Sequence, residues 1–92
     1  MRDKLYIKSR FDNVAIQRVL TDELRQQKTT RLNTLAWIYN GGNIRSEEEL
    51  QRQLRNVNEE LLAFELTGQQ NQQTKKLALC RKYELELILE II

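Results

Sequence analysis

The chain has 92 residues, so it forms one domain at most, residues 1–92, and its core is thin. It contains no histidine, one cysteine and no proline, and its net charge is only +2. These counts exclude an internal disulfide, the usual zinc constellations and the Cys–His and Ser–His nucleophile pairs.

Apolar residues make up 40% and charged residues 30%, a balance of folded rather than disordered chains. Three glycines and no proline favour long helices over strands and turns. No apolar leader opens the sequence and no stretch approaches the ~20 apolar residues of a membrane span. The expected compartment is therefore the cytoplasm, with no membrane partner, cofactor or metal.

Charge is unevenly placed. Residues 1–45 hold nine Lys/Arg against four acids, while residues 46–92 hold six against nine. A split of this kind marks either a face that meets phosphates or two halves that attract each other within the fold.

At the start, "LYIKSRF" alternates weakly between apolar and basic residues. Asp12 or Asn13 then offers a cap for a first helix. At 100° per residue, Ile16, Val19, Leu20, Leu24, Leu35, Trp37 and Ile38 fall on one side, so one helical phase serves from about residue 13 to residue 40. The alternative is a second helix capped by Thr29 or Thr30, with a break near Lys28. Arg18, Arg25 and Lys28 lie roughly opposite the apolar side, and Arg31 interrupts it. Arg18, Arg25 and Lys28, as one basic face, and Arg31 on the same helix are the candidate nucleic-acid contacts. A stripe of this kind follows phosphates without reading bases. Asp22 sits inside the stripe and weakens it.

Gly41 and Gly42 stop that helix, and Ser46 with Glu49 forms the S-x-x-E capping box of the next one. Glu47 and Glu48 suit the positive first turn, and the spacing and lysine of a phosphate-binding loop are missing. Leu50, Leu54, Val57, Leu61 and Phe64 follow at spacings of 4, 3, 4 and 3, a seam of core positions. Gly68 ends the helix and "TGQQNQQT" reads as a polar loop.

The final segment, "KKLALCRKYELELILEII", reads two ways. Tyr83, Leu85, Leu87, Leu89 and Ile91 alternate with glutamates as a strand would, pairing with the similarly alternating start. Against that, Leu and Glu are good helix formers, Thr74 is a cap, and Leu77, Cys80, Leu87, Ile88 and Ile91 share a helical face. The expected fold is thus all-α, a small bundle built on an antiparallel hairpin of residues 13–40 and 46–66. An α+β fold with paired terminal strands is the alternative. Because "LILEII" is apolar, Leu87, Leu89, Ile91 and Ile92 are the candidate protein interface, for self-association or a partner subunit.

Three function classes fit these residues, none of them catalytic. One is a helical subunit of a nucleoprotein complex that binds nucleic-acid backbone. Another is a helix-turn-helix regulator formed by "SEEELQRQL" and "NVNEELLAFEL". The last is a protein-binding adaptor or inhibitor with no nucleic acid. In size, helicity, basic helix and apolar end the chain resembles the small helical subunits of CRISPR interference complexes. That resemblance implies a bundle docked among protein neighbours, a role in antiviral defence, and a nucleic-acid partner that is a displaced single strand or an RNA-guided duplex.

Overall fold

The computed structural model describes residues 1–68 and 71–92. Four α-helices follow one another: α1 (Lys4–Ala15), α2 (Asp22–Tyr39), α3 (Glu47–Thr67) and α4 (Gln72–Leu89). No strand occurs among the described residues, and both segments that alternate in sequence are helical. The paired-strand alternative therefore falls and the fold is an all-α bundle.

The expected single helix over residues 13–40 is two helices. Asp3 starts α1 by accepting a hydrogen bond from the Tyr6 N–H at 2.9 Å. Asp12 and Asn13 consequently lie inside α1 rather than capping it. A new start follows at Thr21, whose hydroxyl accepts from the Leu24 N–H at 3.1 Å, with Asp22 and Glu23 in the positive first turn. The break falls before Lys28, and Thr29 and Thr30 lie within α2. Once the phase is cut, the apolar residues around the cut lose their face. Leu20 is 91% exposed and Ile16 79% exposed. The buried face of α1 is instead Ile7 and Val14, and that of α2 is Leu35 and Ile38.

At the end of α2, Asn40 adopts φ 48°, so the left-handed turn begins one residue before the glycines. Gly42 follows at φ 98°, and a Cβ there would stand 3.1 Å from the Lys4 ammonium. Arg45 then closes the helix end. Its N–H bonds the Ile38 carbonyl at 3.0 Å and its side chain donates to the Trp37 carbonyl at 2.8 Å. Two carbonyls that the helix itself cannot pair are satisfied this way.

The capping box before α3 is present. The Ser46 hydroxyl accepts from the Glu49 N–H at 3.2 Å, and the Glu49 carboxylate accepts from the Ser46 N–H at 3.4 Å. The backbone hydrogen bond from Ser46, with help from Arg45, holds the Glu49 carboxyl below its ordinary value. A lowered folded value means the stabilisation is complete above the ordinary glutamate range, near ~4.3, and is lost as pH falls through the lowered value. Ser46→Ala is expected to cost about 1 kcal/mol in urea denaturation at neutral pH. Glu49→Gln should flatten the acid side of the stability profile. Unchanged profiles in both variants would remove the box from the fold's stability.

The stretches suggested as a helix-turn-helix pair form one uninterrupted helix, α3, with no turn between them, so that pairing does not exist. Gly68 ends α3 at φ 65°, as its position implied. Asn71, not Thr74, caps α4, accepting from the Thr74 N–H at 3.1 Å. The far end of α4 closes through Glu90 at φ 63°. The Glu90 N–H bonds the Leu87 carbonyl and the Ile91 N–H bonds the Glu86 carbonyl. This is the paired-hydrogen-bond helix stop, here without a glycine.

Packing centres on α2 and α4. The packed pairs are α3 with α4, α2 with α4, and α1 with α2. The hairpin of the bundle is therefore α3 and α4, joined by a short connection and bridged by Arg81 to Glu60 at 2.6 Å. The expected pairing of residues 13–40 directly on 46–66 is replaced, because α4 lies between them. Gln73 reaches the Glu23 carbonyl and the Gln26 side chain, and Glu84 further along α4 meets Arg31 further along α2, so these two helices run parallel. The core draws on every helix: Ile7, Val14, Leu35, Ile38, Leu50, Leu54, Val57, Ala78, Leu85, Ile88 and Leu89. No helix among the described residues is long and apolar enough to cross a membrane.

Candidate nucleic-acid interface

The expected stripe of Arg18, Arg25 and Lys28 is not formed, and Arg31 is placed apart from it. Arg18 lies in the connection between α1 and α2, exposed and outside any helix. Arg25 pairs with Asp22 at 3.0 Å on the surface. Lys28 donates to the Gln17 carbonyl at 2.9 Å, fastening the chain just past α1 onto α2. Arg31 turns inward to Glu84 at 2.7 Å. The stripe required one helical phase from residue 18 to residue 28, and the new start at Thr21 removes it.

Glu84 organises the interior. Its side chain is 0% exposed, and it accepts from Arg10 Nε at 2.8 Å, from Arg10 Nη2 at 2.7 Å and from Arg31 Nη1 at 2.7 Å. One carboxylate thus ties α1, α2 and α4 together. The hydrogen bond to Glu84 pushes the Arg10 guanidinium above its ordinary value. The Tyr83 ring lies beside both cations, its centroid 5.6 Å from the Arg10 guanidinium carbon and 5.2 Å from that of Arg31. Sequence reading placed Glu84 on the polar side of an alternating segment. The available signal was helical: Glu84 stands four residues from Cys80 and four from Ile88, in the middle of an otherwise apolar face. An acid in that position calls for buried cations.

Between α2 and α4 runs a surface groove of about 690 Å³. Arg31 and Gln27 line it from α2; Lys76, Leu79, Lys82 and Tyr83 line it from α4. Glu86 is the one acid on its wall. Lys76 and Lys82 form no ion pair with any described residue, whereas Arg31 shares its charge with Glu84. Cys80 sits beneath the groove, and burial pushes its thiol up, which keeps it a protonated apolar filler rather than a nucleophile. Lys76, in the second turn of α4, and Lys82 therefore belong to a positively charged trough containing an aromatic ring.

The apolar end of the chain divides. Leu89 is 6% exposed and belongs to the core, and Leu87 is half-buried. Ile91 and Ile92 stay exposed, and Ile92 borders the groove. Leu89 is therefore not available to a partner: the helix stop at Glu90 folds the last turn of α4 onto the bundle. A second cleft, of about 480 Å³, opens between α2 and α3 above α4, with Thr30, Thr34 and Gln53 on its walls and Leu77 and Leu85 on its floor. Among the described residues no group of three or more His, Cys, Asp or Glu side chains is placed to hold a metal ion. No family model, curated protein or solved structure matches this chain, so the geometry alone carries the functional reading.

Proposed function

We propose that this chain is a non-catalytic helical subunit of a nucleoprotein complex. It holds a nucleic-acid backbone, a single strand or an RNA-guided duplex, without sequence preference, and docks on protein neighbours. The groove between α2 and α4 is the contact surface. The observation that carries this reading is the gathering of Arg31, Lys76 and Lys82 along the groove that holds a half-exposed Tyr83, with Glu86 the one acid on its wall and Glu84 sharing the charge of Arg31. Of the basic residues singled out in the sequence, Arg31 remains in the contact surface, and Lys76 and Lys82 take the places assigned to Arg18, Arg25 and Lys28. The small subunits of CRISPR interference complexes are one setting such a chain would fit.

Cations on a phosphate backbone release counterions, so affinity falls with salt at a slope of about −0.7 per phosphate on single strands. Two lysines and one shared arginine give weak binding at low salt and a shallow slope. Changing Lys76 and Lys82 together to Glu is expected to abolish binding of a single-stranded oligonucleotide of any sequence. Helicity should stay intact, because both side chains are outside the core. Retained binding in that variant would sink the groove assignment.

A protein-only adaptor is the second reading, and Ile16 and Leu20 favour it. Large apolar side chains left this open at one corner mark an interaction surface. Under that reading the double lysine variant keeps its partner, while Ile16 and Leu20 changed to Ser loses it.

A further inference from the structure

We propose that Tyr83 is a base-stacking platform, which makes the groove select unpaired nucleic-acid strands over duplex. The inference rests on the phosphate-binding reading and adds the feature that determines its ligand class.

Tyr83 is 43% exposed although it sits one residue before a fully buried glutamate. Its ring stays in place because both flanking guanidiniums are fixed. Arg10 and Arg31 are each hydrogen-bonded to Glu84, and each lies within 5.6 Å of the ring centroid. Cations over a ring strengthen its hold on the bundle, and Tyr83 keeps 43% of its surface open to solvent even so. The ring is thus anchored through α1, α2 and α4 at once, and a ligand meets it without having to order it.

What surrounds the ring sets the ligand chemistry. Leu79 lies one turn earlier on the same face of α4, and Lys76 lies two turns earlier, about 10 Å along the axis at 1.5 Å per residue. Lys82 lines the same groove. An aromatic surface bracketed by ammonium groups at this distance suits a base on the ring with phosphates on the lysines. That is the general logic of single-strand binding, where every base offers a π-face. Bases inside a duplex are already stacked on one another and offer no such face.

The test uses the full chain, at low salt, with three probes of equal length: an oligothymidylate, the same backbone carrying abasic sites, and a duplex. Wild type is expected to bind oligothymidylate roughly tenfold more tightly than the abasic strand. Tyr83→Leu should bind the two equally, with its salt slope unchanged, since the lysines remain. Tyr83→Phe should behave as wild type, because stacking uses the ring and not the hydroxyl. Wild type binding both strands equally, or Tyr83→Leu keeping the preference, would overturn the stacking inference while the phosphate reading stands. Should wild type bind none of the probes, the phosphate reading itself fails and this inference fails with it. The wild-type comparison needs no substitution, so poor folding of Tyr83→Leu would not blunt the test.

Discussion

Glu84→Gln is expected to lower the unfolding free energy by about 3–5 kcal/mol, read from urea denaturation at neutral pH. The carboxylate accepts three charge-assisted hydrogen bonds from two arginines, and its side chain has no contact with solvent. Glutamine keeps the shape and replaces one acceptor oxygen with an NH2 facing a guanidinium. Arg10 and Arg31 then lose their counter-charge while their side chains stay only 21% and 27% exposed. Domains of this length have total stabilities of about 5–14 kcal/mol, so the loss is at least about a fifth of what holds the fold. A loss below about 1 kcal/mol, the range of exposed ion pairs, would mean the cluster is solvated. Replacing all three charges together with apolar residues of similar size should recover most of the loss, because desolvation of the ions disappears with them. That recovery would mean the ion cluster sets the register of three helices rather than adding net stability.

Leu54→Ala is expected to cost about 2–5 kcal/mol, while Leu61→Ala, on the same seam, costs distinctly less. The two leucines are seven residues apart and equivalent by periodicity. Leu54 is buried in the core, whereas Leu61 is only half-buried where α3 runs toward its exposed end. Leu89→Ala belongs with Leu54, since Leu89 is a core residue and not a free interface residue. Equal losses at Leu54 and Leu61 would show that α3 packs evenly along its length and that the burial gradient does not exist.

The sequence by itself determined the elements whose causes are local. Ser46 and Glu49 form their capping box with groups three residues away. Gly68 takes the left-handed turn that only a residue lacking Cβ adopts freely. Leu50, Leu54 and Val57 share a face because 3.6 residues complete a turn. The all-α class followed from scarce glycine and absent proline, and of the helical face expected in the last segment Cys80 and Ile88 are buried, while Ile91 lies beyond the helix and is exposed.

Other features depended on partners distant in the chain. Ile16, Val19, Leu20 and Leu24 continue the phase of Leu35 and Ile38, so periodicity alone joined them. The cap at Thr21 and the fastening of Gln17 by Lys28 decide the break, and the second of these acts between helices. Arg31 reads as a surface cation until Glu84, fifty-three residues later, is placed beside it. Leu89 and Ile91 look alike in "LILEII", and only the left-handed turn at Glu90 separates a core residue from an exposed one. The groove follows the same rule. Its lysines come from α4 and its arginine from α2, far apart in the chain, and the parallel packing of α2 on α4 brings them to one surface.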